Sequence, residues 1–318
     1  MTKQSSICGN SDSSSRVAVL MATHDGEAYL TEQLASLRSQ TWLNIDLLLS
    51  DDGSTDGTLE ALREFASAWP KGDVTIVPGP CNGFAENFRS LILRHEAASA
   101  DYVAFCDQDD IWKDDKLENA IAWLSSRPDG KPALYCGRTL NFAGQRRWMS
   151  PLFPYQPCFA NALVQSIAGG NTMVMNRSAF DLVQTAARRA RFVSHDWLAY
   201  LIVTGAGGEV FYNPEPDVLY RQHDTNLVGA NNTWTSLIPR LLFILDGRFR
   251  EWTDMNVQTL RANIDLLTPH ARQVLDRFCA ARQAPLHRRI VGVRQSGVFR
   301  QTRKGQAALI IAALLKLL

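Results

Sequence analysis

The order of apolar and polar segments predicts an α/β protein with a mostly parallel central sheet, and three observations carry that prediction. Short β-prone runs alternate with helical patterns four times over residues 16–124. Those runs are apolar almost throughout, as strands covered on both faces are. Three polar loops, Thr23-His-Asp-Gly-Glu27, Asp51-Asp-Gly-Ser-Thr-Asp56 and Asp107-Gln-Asp-Asp110, follow the first, second and fourth of them. Ligands of open α/β sheets bind beyond the carboxyl ends of the strands, so these loops are expected to converge on one site.

The first strand is predicted at residues 16–22, followed by a helix with Leu30, Leu34 and Leu37 on one stripe. A second strand is expected at 45–50, and a helix follows with Leu59, Leu62, Ala66 and Trp69 at helical spacing. The third strand (74–77), third helix (84–94) and fourth strand (102–106) complete the alternation. The pattern at 111–124, with Leu117, Ile121 and Leu124 on one face, predicts a helix directly after the acidic run. Beyond it the rhythm fades: short strands at 133–137, 172–175, 208–212 and 218–220, a Pro-rich loop at 148–159, and helices from Ser178 and from Ser194, the latter a candidate cap. From Trp234 onward the pattern is helical, with a break near Pro285.

The acidic run after the fourth strand is the chemical focus. Like charges about 4 Å apart repel by roughly 4 kcal/mol at an effective dielectric near 20, so such a cluster either takes up protons or holds a cation. Asp107 and Asp109, at alternate positions, offer hard oxygen donors to Mg2+ or Mn2+. An acidic turn that merely caps a helix is the alternative.

With 33 Lys+Arg against 32 Asp+Glu, the chain has no global pull toward nucleic acid. Six cysteines without a Cys-x-x-Cys pair suit reduced thiols in a cytoplasmic protein. Residues 1–15, polar and Ser-rich, lack the apolar core of a signal peptide and are expected to be a disordered leader. No acid follows Asp276, and residues 307–318 are apolar apart from Lys316. A twelve-residue helix is about 18 Å long and cannot span a bilayer, so this tail either lies on a membrane or packs on protein.

Residues 16–228 carry, in order, motifs that resemble the inverting nucleotide-sugar glycosyltransferases of the GT-A fold, family 2. Asp107-Gln-Asp109 matches that family's Asp-x-Asp motif, and Phe105-Cys-Asp-Gln-Asp-Asp-Ile-Trp112 looks like its bacterial rhamnosyltransferase branch. Gly170-Asn-Thr-Met173, His195-Asp-Trp197 and Tyr220-Arg-Gln-His223 fall where that branch has its acceptor-side and catalytic segments. His24 and Asp25 depart from the pattern, which often has an aromatic residue and Asn there.

The resemblance implies a GT-A domain over 16–228, with a nucleotide-binding half (16–125) and an acceptor-side half (126–228), followed by a helical extension over 229–318. It implies Asp196 as the catalytic base. Thr23, Glu27, Asp51, Asp52 and Asp107 would bind the nucleotide, and Asp109, Asp107 and His223 a divalent metal (Mn2+ or Mg2+). On the phosphate and acceptor side stand Arg221, Asn171 and Trp197, the last either stacked on a sugar or part of the core.

The expected activity is metal-dependent transfer of a sugar, with L-rhamnose from dTDP-rhamnose as the candidate, to a lipid-linked saccharide in cell-surface polysaccharide assembly. The expected location is cytoplasmic, at the inner face of the plasma membrane. Two alternatives are a metal-dependent phosphotransferase and a non-catalytic nucleotide-sugar-binding homologue. The first is disfavoured: no nucleophilic Asp follows the first strand, and there is no Gly-x-x-x-x-Gly-Lys loop.

Overall fold

The structure, a computed structural model, describes residues 15–223 and 247–318. The expected leader up to residue 14, residues 224–226 of the loop after the last strand, the 228/229 boundary and the helical start at Trp234 lie outside the described residues.

Four parallel strands form the first half: β1 (Val17–Thr23), β2 (Ile45–Asp51), β3 (Val74–Pro78) and β4 (Tyr102–Cys106). Helices α1 (Glu27–Arg38), α2 (Thr58–Ser67) and α3 (Phe84–Ile92) connect them. Alternate residues of β1 serve opposite faces: Val17, Val19 and Met21 pack toward α1 and α2, Ala18 and Leu20 toward α3. Burying apolar side chains on both faces, at about 1.5–3 kcal/mol each, explains why these strands read as unbroken apolar runs.

After β4 the chain departs from the expected pattern. Residues 111–124 are not one helix. Ile111–Trp112 forms a short strand β5, and α4 (Lys116–Ser125) begins only after a turn. The helical spacing of Leu117, Ile121 and Leu124 was real; β5 pairs with a strand more than a hundred residues away, a contact no local pattern reveals. β6 (Ala133–Ala143) is longer than expected and turns back as β7 (Arg146–Met149), so a strand stands where the loop at 148–159 was expected to start.

A short α5 (Phe159–Ala162) and a 3-10 turn, Gly170–Thr172, precede β8 (Val174–Asn176), then come α6 (Arg177–Arg189) and α7 (His195–Gly205). The two short strands expected at 208–220 are one strand, β9 (Glu209–Arg221), whose partner ladder shifts register between Gly137 and Thr139. Ser194 holds the N-cap position of α7 but makes no side-chain capping bond.

The strand order is β3-β2-β1-β4-β8-β6-β9-β5, with β7 beside β6. Because β8 runs antiparallel to β4, the turn that leads into it lies beside the carboxyl end of β4. Because β5 pairs with β9 through Ile111 and Leu219, the end of β9 lies beside Asp110. The sheet thus carries two distant segments to the acidic loop.

Helices α8 (Arg248–Ala262), α9 (Pro269–Gln283), α10 (Leu286–Gln295) and α11 (Arg303–Leu315) extend the layer that holds α3, α6 and α7. Leu309, Ala312 and Ala313 of α11 join that core, so one face of the tail packs on the protein. Among the described residues no helix is long and apolar enough to cross a membrane.

Candidate active site

The three loops do meet. The His24 backbone N–H donates to Gln108 Oε1, and the Gln108 amide donates to the His24 carbonyl, both at 2.9 Å, which joins the β1 and β4 loops. Thr23 Oγ1 donates to Asp51 Oδ1 at 3.0 Å. Glu27 and Asp56 exchange bonds across the β1 and β2 loops: Glu27 accepts from the Gly57 N–H at 3.0 Å and Asp56 from the Glu27 N–H at 3.1 Å. Asp51 turns back on Ser54, and Gly53, at φ +84°, supplies the left-handed conformation of that turn. Asp52 accepts from the Cys81 and Gly83 N–H groups at 2.7 and 3.0 Å and so orders the loop after β3.

The carboxylates beyond β4 divide by environment. Asp110 is fully buried, accepts from the Asn171 side-chain amide and from the Arg221 N–H at 3.1 Å, and ties three segments together. Burial, then Asp109 and Asp107, push its carboxyl far above the usual range. Asp107 is pushed up by burial first, then by Asp109 and Asp196. Asp196, in the first turn of α7, therefore stands within electrostatic reach of the acidic loop. Its Oδ2 accepts from Ser166 Oγ at 3.1 Å.

The segment leaving β9 closes over this loop. His223 Nε2 lies 2.7 Å from Asp109 Oδ2, and the imidazole stacks on Tyr29 with centroids 4.9 Å apart. Arg221 donates through Nε to the Asp109 carbonyl at 3.0 Å and pairs with Glu32 at 2.9 Å. Its guanidinium lies over both Tyr29 and Phe142. Arg221 thus braces the acidic loop.

Two expected acceptor-side residues are buried rather than open to an acceptor. Trp197 is in the core, its indole N–H donating to the Ala162 carbonyl at 2.7 Å, so it is not free to stack on a sugar. The cause is the apolar sweep of α7, buried almost all round. Asn171 is buried against Asp110 and braces it. Sequence reasoning passed over Ser166, Gln108, Glu32 and Tyr29, because their role depends on contacts far along the chain.

His195, beside Asp196, is buried, and neither ring nitrogen has a hydrogen-bond partner among the described residues. It stacks on Phe88 at 3.6 Å and meets Phe105 edge-on at 4.7 Å, and burial pulls its pKa down to about 4. Its Nε2 occupies the space a side chain at position 170 would need, which accounts for Gly170.

Among the described residues no three His, Cys, Asp or Glu side chains form a ready-made metal cage. Asp107, Asp109 and His223 are the groups that could hold a cation. Asp109 Oδ2 and His223 Nε2, 2.7 Å apart, with Asp107 within electrostatic reach of Asp109, are oxygen and nitrogen donors of the kind a divalent ion takes when waters or phosphate oxygens complete its shell.

A mixed sheet with acids at the ends of its parallel strands is an arrangement suited to holding a nucleotide and its phosphates, and comparison with known proteins identifies the class. The profile of glycosyl transferase family 2 matches residues 18–182, and the chain belongs to that family: it is a glycosyltransferase. It is 28% identical over 251 residues to a dTDP-rhamnosyl transferase, RfbG, of Shigella flexneri, covering 73% of this chain and 81% of that one. It is 25% identical over 191 residues to TuaG of Bacillus subtilis, a putative teichuronic acid biosynthesis glycosyltransferase, covering 58% and 71%. The fold resembles S. aureus TarS 1–349 in complex with UDP, with TM-score 0.52, 15% identity, and 94% and 90% of the two chains covered. The architecture is the GT-A fold with added C-terminal helices.

Proposed function

We propose that this glycosyltransferase moves L-rhamnose from dTDP-rhamnose, with inversion, to a lipid-linked saccharide acceptor in cell-surface polysaccharide assembly. The similarity to RfbG supports the donor. In this reading residues 16–125 bind the nucleotide, residues 126–228 the acceptor, and the C-terminal tail keeps the protein at the inner face of the plasma membrane.

Asp196 is the proposed base. Held by Ser166, it takes the acceptor hydroxyl proton as the new C–O bond forms at the anomeric carbon and the bond to the diphosphate breaks on the opposite face. Thr23, Glu27, Asp51 and Asp52 build the nucleotide pocket, chiefly by fixing its loops. Asp107, Asp109 and His223 would hold a divalent cation (Mn2+ or Mg2+), which when bound neutralises charge on the departing diphosphate. Arg221 and Asn171 keep Asp109 and Asp110 in place.

The observation that carries this reading is that α7 is packed against the acidic end of β4: His195, next to Asp196, meets Phe105 edge-on at 4.7 Å and fills the space over Gly170, beside the Asn171 that bonds Asp110. The test pairs Asp196→Asn with Asp109→Ala, measuring turnover and Mn2+-dependent binding of dTDP-, UDP- and GDP-sugars. Asp196→Asn is expected to lose about 10²–10⁴-fold in kcat while still binding donor. Asp109→Ala is expected to lose donor binding. Unchanged turnover in Asp196→Asn would remove it from the mechanism; donor binding by the wild type without any turnover would leave a binding protein as the better reading.

A further inference from the structure

The outer face of α10 and α11 is the second feature of this molecule with a chemistry of its own. Leu286 and Val291 on α10 and Ile311, Leu314 and Leu315 on α11 are 40–52% exposed. Ile311, Leu314 and Leu315 recur at helical spacing, so they form a stripe opposite the packed Leu309, Ala312 and Ala313. The exposed cations Arg277, Arg288, Arg294, Arg303, Lys304 and Lys316 lie on or directly after the same C-terminal helices, α9 to α11.

Residues 277–318 hold nine Lys+Arg and no Asp or Glu. Arg277, Arg288, Arg294, Arg303 and Lys316 have no acidic partner among the described residues. Arg277 and Arg288 also rim a cleft of about 560 Å³ between α9 and α10. Its floor includes Gly292, where a side chain would strike Ala281. The two helices of the face are locked together: Arg289, buried, donates to the Ala313 carbonyl at 3.0 Å.

We infer that this face docks on an anionic lipid surface, its apolar stripe in the headgroup boundary and the arginines on lipid phosphates. Charge decides between occupants. A second copy would bring the same unbalanced cations against themselves, since a two-fold interface pairs a patch with itself. A negatively charged leaflet complements them. The inference deepens the proposed lipid-linked acceptor, which gives such docking its purpose, but its test uses neither donor nor acceptor.

The full chain is sedimented with vesicles of phosphatidylcholine alone and of phosphatidylcholine mixed with phosphatidylglycerol, at low and high salt. Binding to the anionic vesicles alone, weakened by salt, is expected. Arg288→Gln with Arg294→Gln should weaken it by about fivefold per cation. Ile311→Ser with Leu315→Ser, at exposed positions, should weaken it on the order of tenfold per side chain. Equal binding to neutral vesicles, no binding at low salt, or wild-type binding in both double variants would overturn the inference. So would a dimer in light scattering that Ile311→Ser with Leu315→Ser dissociates. Vesicle binding by a wild-type protein that shows no sugar transfer in a separate assay would instead count against the enzymatic reading and leave this inference standing.

Discussion

Replacing Lys116 by Met should stabilise the protein, and by an amount that depends on pH. Lys116 opens α4, is fully buried, and its ammonium has no hydrogen-bond partner among the described residues. It lies 3.5 Å from the centroid of the Trp112 ring and at the positive end of the helix dipole. Burial pushes its pKa from 10.5 to about 8, against weaker support from Cys106 and Asp217. The unfolded chain therefore binds this proton more tightly between about pH 8 and 10.5.

That gap corresponds to about 3 kcal/mol of instability, present in full below pH 8 and gone above 10.5. Met keeps the alkyl chain over Trp112 but gives up a cation–π contact of about 1–2 kcal/mol, so the net gain at pH 7 is about 1–2 kcal/mol. Urea unfolding of wild type and Lys116→Met at pH 7 and near pH 10 measures it. The advantage should shrink or reverse at the higher pH, because only the wild type sheds the penalty. A variant less stable at pH 7, or one whose difference from wild type is flat with pH, would refute the reasoning.

Other outcomes follow from the site. Asn171→Ala should cost about 1–3 kcal/mol in thermal unfolding, because it deprives buried Asp110 of a donor, and it should also weaken donor binding. His195, held at about 4 against 6.5, accepts its proton first in the unfolded chain. Its contribution is present above pH 6.5 and drains by about 3 kcal/mol toward pH 4. In His195→Leu the acid side of the stability profile should be shallower by that amount. Since Asp107 is pushed up, a cation must displace its proton, so Mn2+ affinity should rise as pH rises on the acid side. Titration calorimetry in buffers of different ionisation enthalpy should show proton release, absent in Asp107→Asn.

Much of this protein is legible locally. The four parallel strands, their helices and the acids that end them follow from apolar periodicity and loop chemistry, because each strand is buried on both faces and announces itself as an unbroken run. Asp107, Asp109 and the Asp51 turn stand out because charge at the end of a buried strand has few uses.

What periodicity could not supply is the pairing of distant segments. β5 exists because Ile111 and Trp112 meet β9, and nothing in their neighbours distinguishes that from a first helical turn. Trp197 and Asn171 look like recognition residues in sequence and are buried in the fold, one by the apolar sweep of α7, the other by the turn into β8. Arg221 and His223 close on Asp109 only through the antiparallel register of β9 with β5. Short-range chemistry thus determined which side chains are available, and long-range strand pairing decided which of them meet, since contact across a sheet depends on register and not on neighbours in the chain.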